Sequence, residues 1–240
     1  MSTKVDLLIL AAHPDDAELS CSGTIIKHIA QGKKVAIVDF TQGELGTRGS
    51  AALRLEEAAD AQKVLGVHFR ENLGLRDGYF DCGEENRNKL ISMIRKYQPE
   101  IVIANAVSDR HPDHGRGAQL ASEACFYSGL RRIETFQDNQ PQDAWRPKAI
   151  YHYIQDYYIK PDFIVDITPF MDQKIDAIKA FKSQFYDPNS KEPASPISGK
   201  EFFDFIKARN MQFGRLINTL YGEGFTVERP MGVDDITLLK

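Results

Sequence analysis

Residues 5–18 read VDLLILAAHPDDAE, and the fold class of the whole chain turns on them. Residues 5–12 are apolar apart from Asp6, with Lys4 before them and His13-Pro14 after. An apolar run without the in–out alternation of a half-exposed strand suits a strand buried on both faces, the habit of parallel sheets. The polar His-Pro-Asp-Asp that follows then falls at the strand's carboxyl end. There Pro14 and the two aspartates favour a turn leading into a helix.

Outward from this stretch the same alternation recurs. Ile25, Ile26 and Ile29 at helical spacing, with Gly32 as the stop, predict a helix over 23–31, and a second β-branched strand follows over 35–40. Residues 41–50 (TQGELGTRGS) are polar and Gly-rich, a loop at the end of that strand. A helix rich in Ala, Leu and Glu then runs over 51–65 to Gly66. Next come a short strand over 67–71, a helix over 86–97 stopped by Pro99, an apolar strand over 101–105 (IVIAN) and a helix over 114–126. Strands over 149–154 and 163–167 precede a helix over 169–181 with Pro169 in its first turn. A mobile loop over 187–199 and a last helix over 200–221 complete the pattern. Strands alternating with helices imply right-handed crossovers and an α/β fold, a mostly parallel central sheet covered on both faces. One domain over 1–240 is expected. In such sheets ligands bind beyond the carboxyl ends of the strands, where the strand order reverses.

With 240 residues, 42% of them hydrophobic, the chain can bury a sizeable core. A net charge of -4 lacks the basic balance of a nucleic-acid binder. Cys21, Cys82 and Cys125 form no CxxC pair and no disulfide framework, so they read as core or semi-buried thiols. The run at 5–12 is too short to span a bilayer. No membrane partner is expected, and the expected location is the cytoplasm.

The HPDD at 13–16 has a counterpart. Ser108-Asp109-Arg110-His111-Pro112-Asp113-His114 begins just after the strand over 101–105, so two His- and Asp-rich segments lie at carboxyl ends of strands. They face one another if the first and fourth strands are neighbours. His13 and Asp16, across a Pro-directed turn, can converge on one ion, with His114 as the third ligand. Two His and one carboxylate leave coordination positions open, the catalytic pattern for zinc, and the same set also accommodates Fe(II). A turn with an Asp N-cap would explain HPDD alone, but not its pairing with HPDH at a second strand end. Asp15 stands beside the ligands without being needed among them, placed to take and return a proton. His111, kept off the ion, would donate to a developing oxyanion. Asp113 either orients His111 or caps the helix that follows.

Arg48, Arg54 and Arg110 cluster at the same strand ends and suit an acidic substrate group, although Glu18, Glu44 and Glu57 are alternative partners for Arg54. His28, His68 and His152 read as surface or satisfied core. Neither GxxxxGK[ST] nor a GxGxxG after the first strand is present, which disfavours nucleotide binding by those routes.

AHPDDAE at 12–18, TQGELGTRG at 41–49 and HPDHGRG at 111–117 occur in the order that resembles the LmbE/PIG-L family of zinc N-deacetylases. The resemblance covers most of residues 5–170. It implies a Rossmann-like, LmbE-like three-layer fold and removal of acetyl groups from N-acetylglucosamine-type sugars. It also implies zinc on His13, Asp16 and His114, Asp15 as general base, and His111, supported by Asp113, facing the oxyanion. Within the family the chain looks closest to the bacillithiol-pathway deacetylases acting on N-acetylglucosaminyl-L-malate, whose acid would give Arg48 or Arg110 a partner. Members are often homo-oligomers, hexamers included. Ser20-Cys21-Ser22-Gly23 departs from the more Gly-rich run expected there. Three alternatives stay open: a deacetylase of another GlcNAc conjugate, a non-haem iron oxygenase on the same ligands, and a sugar-binding protein with a structural ion.

Overall fold

The computed structural model describes residues 3–238. Its strands are β1 (Leu7–Ala11), β2 (Val35–Thr41), β3 (Phe69–Leu75), β4 (Ile101–Ala104), the short pair β5 (Phe136–Gln137) and β6 (Gln140–Pro141), then β7 (Ala149–Tyr153), β8 (Phe163–Asp166) and β9 (Gly222–Val227). Seven of them form the central sheet in the order β3-β2-β1-β4-β7-β9-β8. The first five in that order pair in parallel, and β9 runs antiparallel to both β7 and β8. The helices are α1 (Asp16–Ala30), α2 (Ala51–Leu65), α3 (Glu84–Tyr97), α4 (Pro112–Tyr127), α5 (Met171–Lys179) and α6 (Phe202–Leu216). This is the expected mostly parallel α/β sheet with helices on both faces.

β1 shows why the apolar run does not alternate. Leu8 and Leu10 pack with Leu90, Ile94 and Leu120 on the α3/α4 side. Leu7, Ile9 and Ala11 pack with Ile25, Ile37 and Ala177 on the other. Each fully buried Leu or Ile contributes about 1.5–3 kcal/mol, so neither face of the strand tolerates a polar residue. Leu7 pairs with Val35 on one flank and with Ile101 on the other, so β1 and β4 are neighbours where the strand order reverses. The segments after these two strands therefore face each other across one crevice.

The structure differs from the expected elements at several points. α1 starts at Asp16, seven residues before the expected helix over 23–31, and is broken at Cys21 (φ -138, ψ 16). Glu223 accepts from the Gly23 and Thr24 N–H groups freed by the break, and Lys174 donates to the Leu19 carbonyl. β3 occupies Phe69–Leu75 rather than 67–71. Pro169 lies in a 3-10 turn (Thr168–Phe170) ahead of α5. The last helix ends at Leu216 rather than 221, and the chain returns as β9, a strand for which the sequence carries no expectation. Residues 187–199 form turns and bends without helix or strand. By contrast α2 has the expected bounds: the Ser50 side chain caps it by accepting from Leu53 N–H, and Gly66 (φ 74) closes it. No helix among the described residues is long and apolar enough to cross a membrane. The three cysteines are free, Cys21 and Cys125 buried and Cys82 half-buried.

Candidate active site

The turn after β1 brings His13, Asp15 and Asp16 to the rim of the sheet, all buried. The helix that begins after β4 brings His111, Asp113 and His114 to the same place. Asp16 lies between two imidazoles: His13 Nδ1 is 3.5 Å from its Oδ2, and His114 Nε2 is 3.2 Å from its Oδ1. Zn–N and Zn–O bonds of about 2.05 Å give a coordination tetrahedron with edges of about 3.3 Å, and each imidazole nitrogen lies near that spacing from one of the two Asp16 oxygens.

The remaining ring nitrogens agree with that use. His13 Nε2 lies 3.0 Å from Asp77 Oδ1 and 3.4 Å from Asp113 Oδ2, and His114 Nδ1 lies 2.6 Å from Asp109 Oδ2. Each imidazole thus offers an N–H to a carboxylate and turns its other nitrogen toward Asp16, the usual support of a metal-ligating His. Buried carboxylates are in excess here. Asp15 pairs with Arg54 and Asp113 with Arg116, while Asp16, Asp77 and Asp109 have imidazoles as their partners of opposite charge. A divalent cation fits this donor set. His13, His111 and His114 present ring nitrogens within 4.8 Å of one another, and His13, Asp77 and Asp113 form a second such group; both share His13 with the contacts around Asp16.

The titration behaviour has the same cause. Burial disfavours the charged rings, yet the surrounding aspartates raise His13 well above its ordinary value and His114 to about 9. Burial pushes the Asp16 carboxyl up, but the His114 and His13 rings hold it well below the carboxylate range. Asp77 is held at about 2 against its burial by the bond to His13. Asp15 is the exception: burial raises it to about 6 despite the adjacent Arg54. His111 is lowered by burial and by the charges on His13 and His114, which favours the neutral ring.

His111 is the N-cap residue of α4, its Nδ1 accepting from the Asp113 N–H at 3.2 Å. In the neutral ring the proton is then on Nε2, a donor. The Asp113 side chain does not hold the N-cap position; its carboxylate goes to His13, to the Gly78 N–H and to Arg116. Asp15 has φ 117, a left-handed conformation uncommon for a residue with a Cβ.

The arginines take different partners. Arg54 Nη2 donates to Asp15 at 2.8 Å, and none of Glu18, Glu44 and Glu57 pairs with it among the described residues. Arg110 pairs with Asp156. Arg48 is buried, donates to Ser190 Oγ, and has no carboxylate partner among the described residues. All three line one cavity of about 330 Å³ together with His13, Asp15, Asp16, His111 and His114. Its far wall is apolar, from Ile197, Phe202, Phe205 and Ile206. His28 and His152 bond backbone carbonyls, His152 also Glu228, and His68 accepts from the Val35 N–H.

The sequence reading passes over Asp77, Asp109, Asn105 and Gln155. Asp77-Gly78 just after β3 is a third strand-end aspartate, hidden because that strand was expected to end at 71 rather than 75. Asp109 stands inside the Asp- and His-rich stretch 108–114, three residues before α4 begins. Asn105 and Gln155 carry no signal of their own, being neutral residues just beyond β4 and β7.

Residues 8–125 match the model of the PIG-L family, described as GlcNAc-PI de-N-acetylase. Over 229 residues the chain is 28% identical to the diacetylchitobiose deacetylase of Thermococcus kodakarensis, which covers 91% of this chain and 81% of that one. It is 25% identical over 201 residues to a probable N-acetyl-α-D-glucosaminyl L-malate deacetylase 2 of Bacillus anthracis, covering 77% and 84% of the two chains. A solved structure of a conserved protein from Thermus thermophilus superposes with a TM-score of 0.86 at 33% identity, over 97% of this chain and 98% of that one.

Proposed function

The chain belongs to the PIG-L family of de-N-acetylases, and from that membership we propose that it is a zinc-dependent hydrolase releasing acetate from an N-acetylglucosaminide with an acidic aglycone. The observation that carries this reading is the Asp16 carboxylate set between His13 Nδ1 and His114 Nε2 at 3.5 and 3.2 Å, with Asp15 next to it in the same cavity. The site would hold zinc on His13, Asp16 and His114; Fe(II) fits the same donors. Such an ion supplies polarisation of the acetyl carbonyl and a lowered pKa for water.

The chain's own residues do the rest. Asp15 takes the proton from the attacking water and returns it to the amine nitrogen as the C–N bond breaks, so one water and one amide give acetate and the free amino sugar. Arg54 keeps Asp15 in place and opposes the effect of its burial. His111 donates Nε2–H to the carbonyl oxygen as it gains charge. Asp113, bonded to His13, orients that ring and sets the His111 tautomer through its backbone N–H.

Arg48 favours an acidic aglycone such as L-malate, because a buried guanidinium without a carboxylate calls for an anion. The apolar wall around Phe202 and Phe205 favours a second reading, in which another N-acetylglucosamine unit follows the first. Acetate release from N-acetylglucosaminyl-L-malate, N,N'-diacetylchitobiose and N-acetylglucosamine tests both. The malate conjugate is expected to have the highest kcat/KM, with activity lost on chelation and in Asp15→Ala. No acetate from any of them would overturn the deacetylase reading, and full activity after chelation would overturn the metal.

A further inference from the structure

Asp16 is held by two carboxamides. Gln155 Nε2 donates to its Oδ1 at 2.7 Å and Asn105 Nδ2 to its Oδ2 at 3.0 Å, beside the His13 backbone N–H at 3.0 Å. A carboxylate only accepts, so both amides must turn their NH2 groups toward it. Their carbonyl oxygens, Asn105 Oδ1 and Gln155 Oε1, are left buried without a hydrogen-bond partner. Orphan acceptors of this kind are unfavourable. Two such side chains around one carboxylate are therefore explained by what their nitrogens hold, not by what their oxygens do.

The two donors are neutral, so they fix the carboxylate without cancelling its charge, as an arginine would. They also come from outside α1, from the turns after β4 and β7, which are neighbours in the sheet. The turn after β7 reaches a second candidate ligand as well. The backbone N–H groups of Asp156 and Tyr157 donate to Asp109, whose other oxygen holds the His114 ring.

We propose that Asn105 and Gln155 are positioning residues that lock the Asp16 carboxylate in the one pose that binds the ion, a proposal that rests on the metal reading above. Without either amide the carboxylate is free to rotate away from the two imidazoles, and affinity for the metal falls.

The test is a cycle of zinc dissociation constants, measured by chelator competition on the purified chain. Gln155→Met is expected to weaken zinc by about 10–100-fold, as is usual for outer-shell partners of a ligand. In an Asp16→Asn background, where the carboxylate is gone, the same change should matter by no more than about twofold. Asn105→Leu should behave alike, and Gln155, being only partly buried, serves where that variant fails to fold. An unchanged constant for Gln155→Met with wild-type zinc binding intact, or an equal loss in both backgrounds, would overturn the positioning role alone. A wild-type chain that binds no zinc would overturn the metal reading and this proposal together.

Discussion

The Arg54 guanidinium stands 2.8 Å from the Asp15 carboxylate, and both side chains are buried. Removing one member of a buried pair leaves the other charge uncompensated, at a cost of about 3–5 kcal/mol. Arg54→Met should lower the unfolding free energy by that order in urea titrations and reduce acetate release by about 100-fold or more through its effect on Asp15. The double variant Arg54→Met, Asp15→Asn carries neither charge. It should regain most of the stability and none of the activity; a double variant no more stable than Arg54→Met would refute the pairing.

Asp15 also carries backbone strain, with φ 117 at the N-cap of α1. A left-handed residue with a Cβ costs about 1–2 kcal/mol, which glycine does not incur. Asp15→Gly and Asp15→Ala are both expected to be inactive, yet the glycine variant should be the more stable of the two by about that amount. Thermal unfolding of the two proteins side by side decides it. If the alanine variant is equally stable, the strain is absent.

How far the sequence discloses this site depends on which residues announce themselves. The apolar runs of β1 and β4 do so because a strand buried on both faces has no choice of composition. The two HP-containing segments follow directly at their ends. β3 is half-exposed, with Arg70, Glu71 and Asn72 in its middle, so its end was expected early and Asp77 stayed out of view. β9 begins Gly-Glu-Gly, with no apolar run to announce a strand, and its Glu223 is buried with Lys174 against the break in α1. The start of α1 is obscure for the same reason. Its first turn lies over a site built from polar groups, so Asp16, Glu18 and Ser20 are buried where apolar spacing would be sought. What remained illegible was the polar interior, where burial is set by long-range partners.

Gly23, in the Ser20-Cys21-Ser22-Gly23 stretch, passes close to Ile167. A Cβ added there would lie 2.8 Å from both the Cβ and the Cδ1 of that residue. Gly23→Ala should gain helix propensity of about 1 kcal/mol but lose about 1–3 kcal/mol to overpacking. A net loss is therefore expected in thermal unfolding. Adding Ile167→Ala creates room, so the double variant should be more stable than the sum of the two single changes predicts. Simple additivity would mean the contact is easily relieved.

Glu228, just past β9, accepts from His152 Nε2 at 3.0 Å, while His152 Nδ1 faces the Asn105 carbonyl at 2.8 Å. The bond to His152 holds the Glu228 carboxyl below its ordinary value of 4.5, with burial opposing it. An acid whose folded pKa is depressed stabilises the fold above its unfolded pKa, and that contribution fades as pH falls through the folded value. Urea unfolding from pH 6 down to about 3 should thus show wild type losing more stability below about pH 4.5 than Glu228→Gln does. Parallel curves for the two proteins would remove Glu228 from the acid response.

If Arg48 meets an acidic aglycone as proposed, its effects on stability and on substrate binding should run in opposite senses. It is 5% exposed, its Nη2 donates to Ser190 Oγ at 2.6 Å, and its Nε has no partner. A buried cation without a carboxylate is unfavourable in the free protein, so Arg48→Met should leave stability unchanged or raise it. On N-acetylglucosaminyl-L-malate the same change should raise KM by about 10–100-fold, the worth of a charge-assisted hydrogen bond, with kcat little altered. On N-acetylglucosamine, which has no acid, KM should scarcely move. Free L-malate should raise the melting temperature of wild type but not of the variant, because a ligand stabilises only the state that binds it. Loss of stability in Arg48→Met with equal KM changes on both substrates would show that the guanidinium serves the fold, and the acidic aglycone would have to be given up.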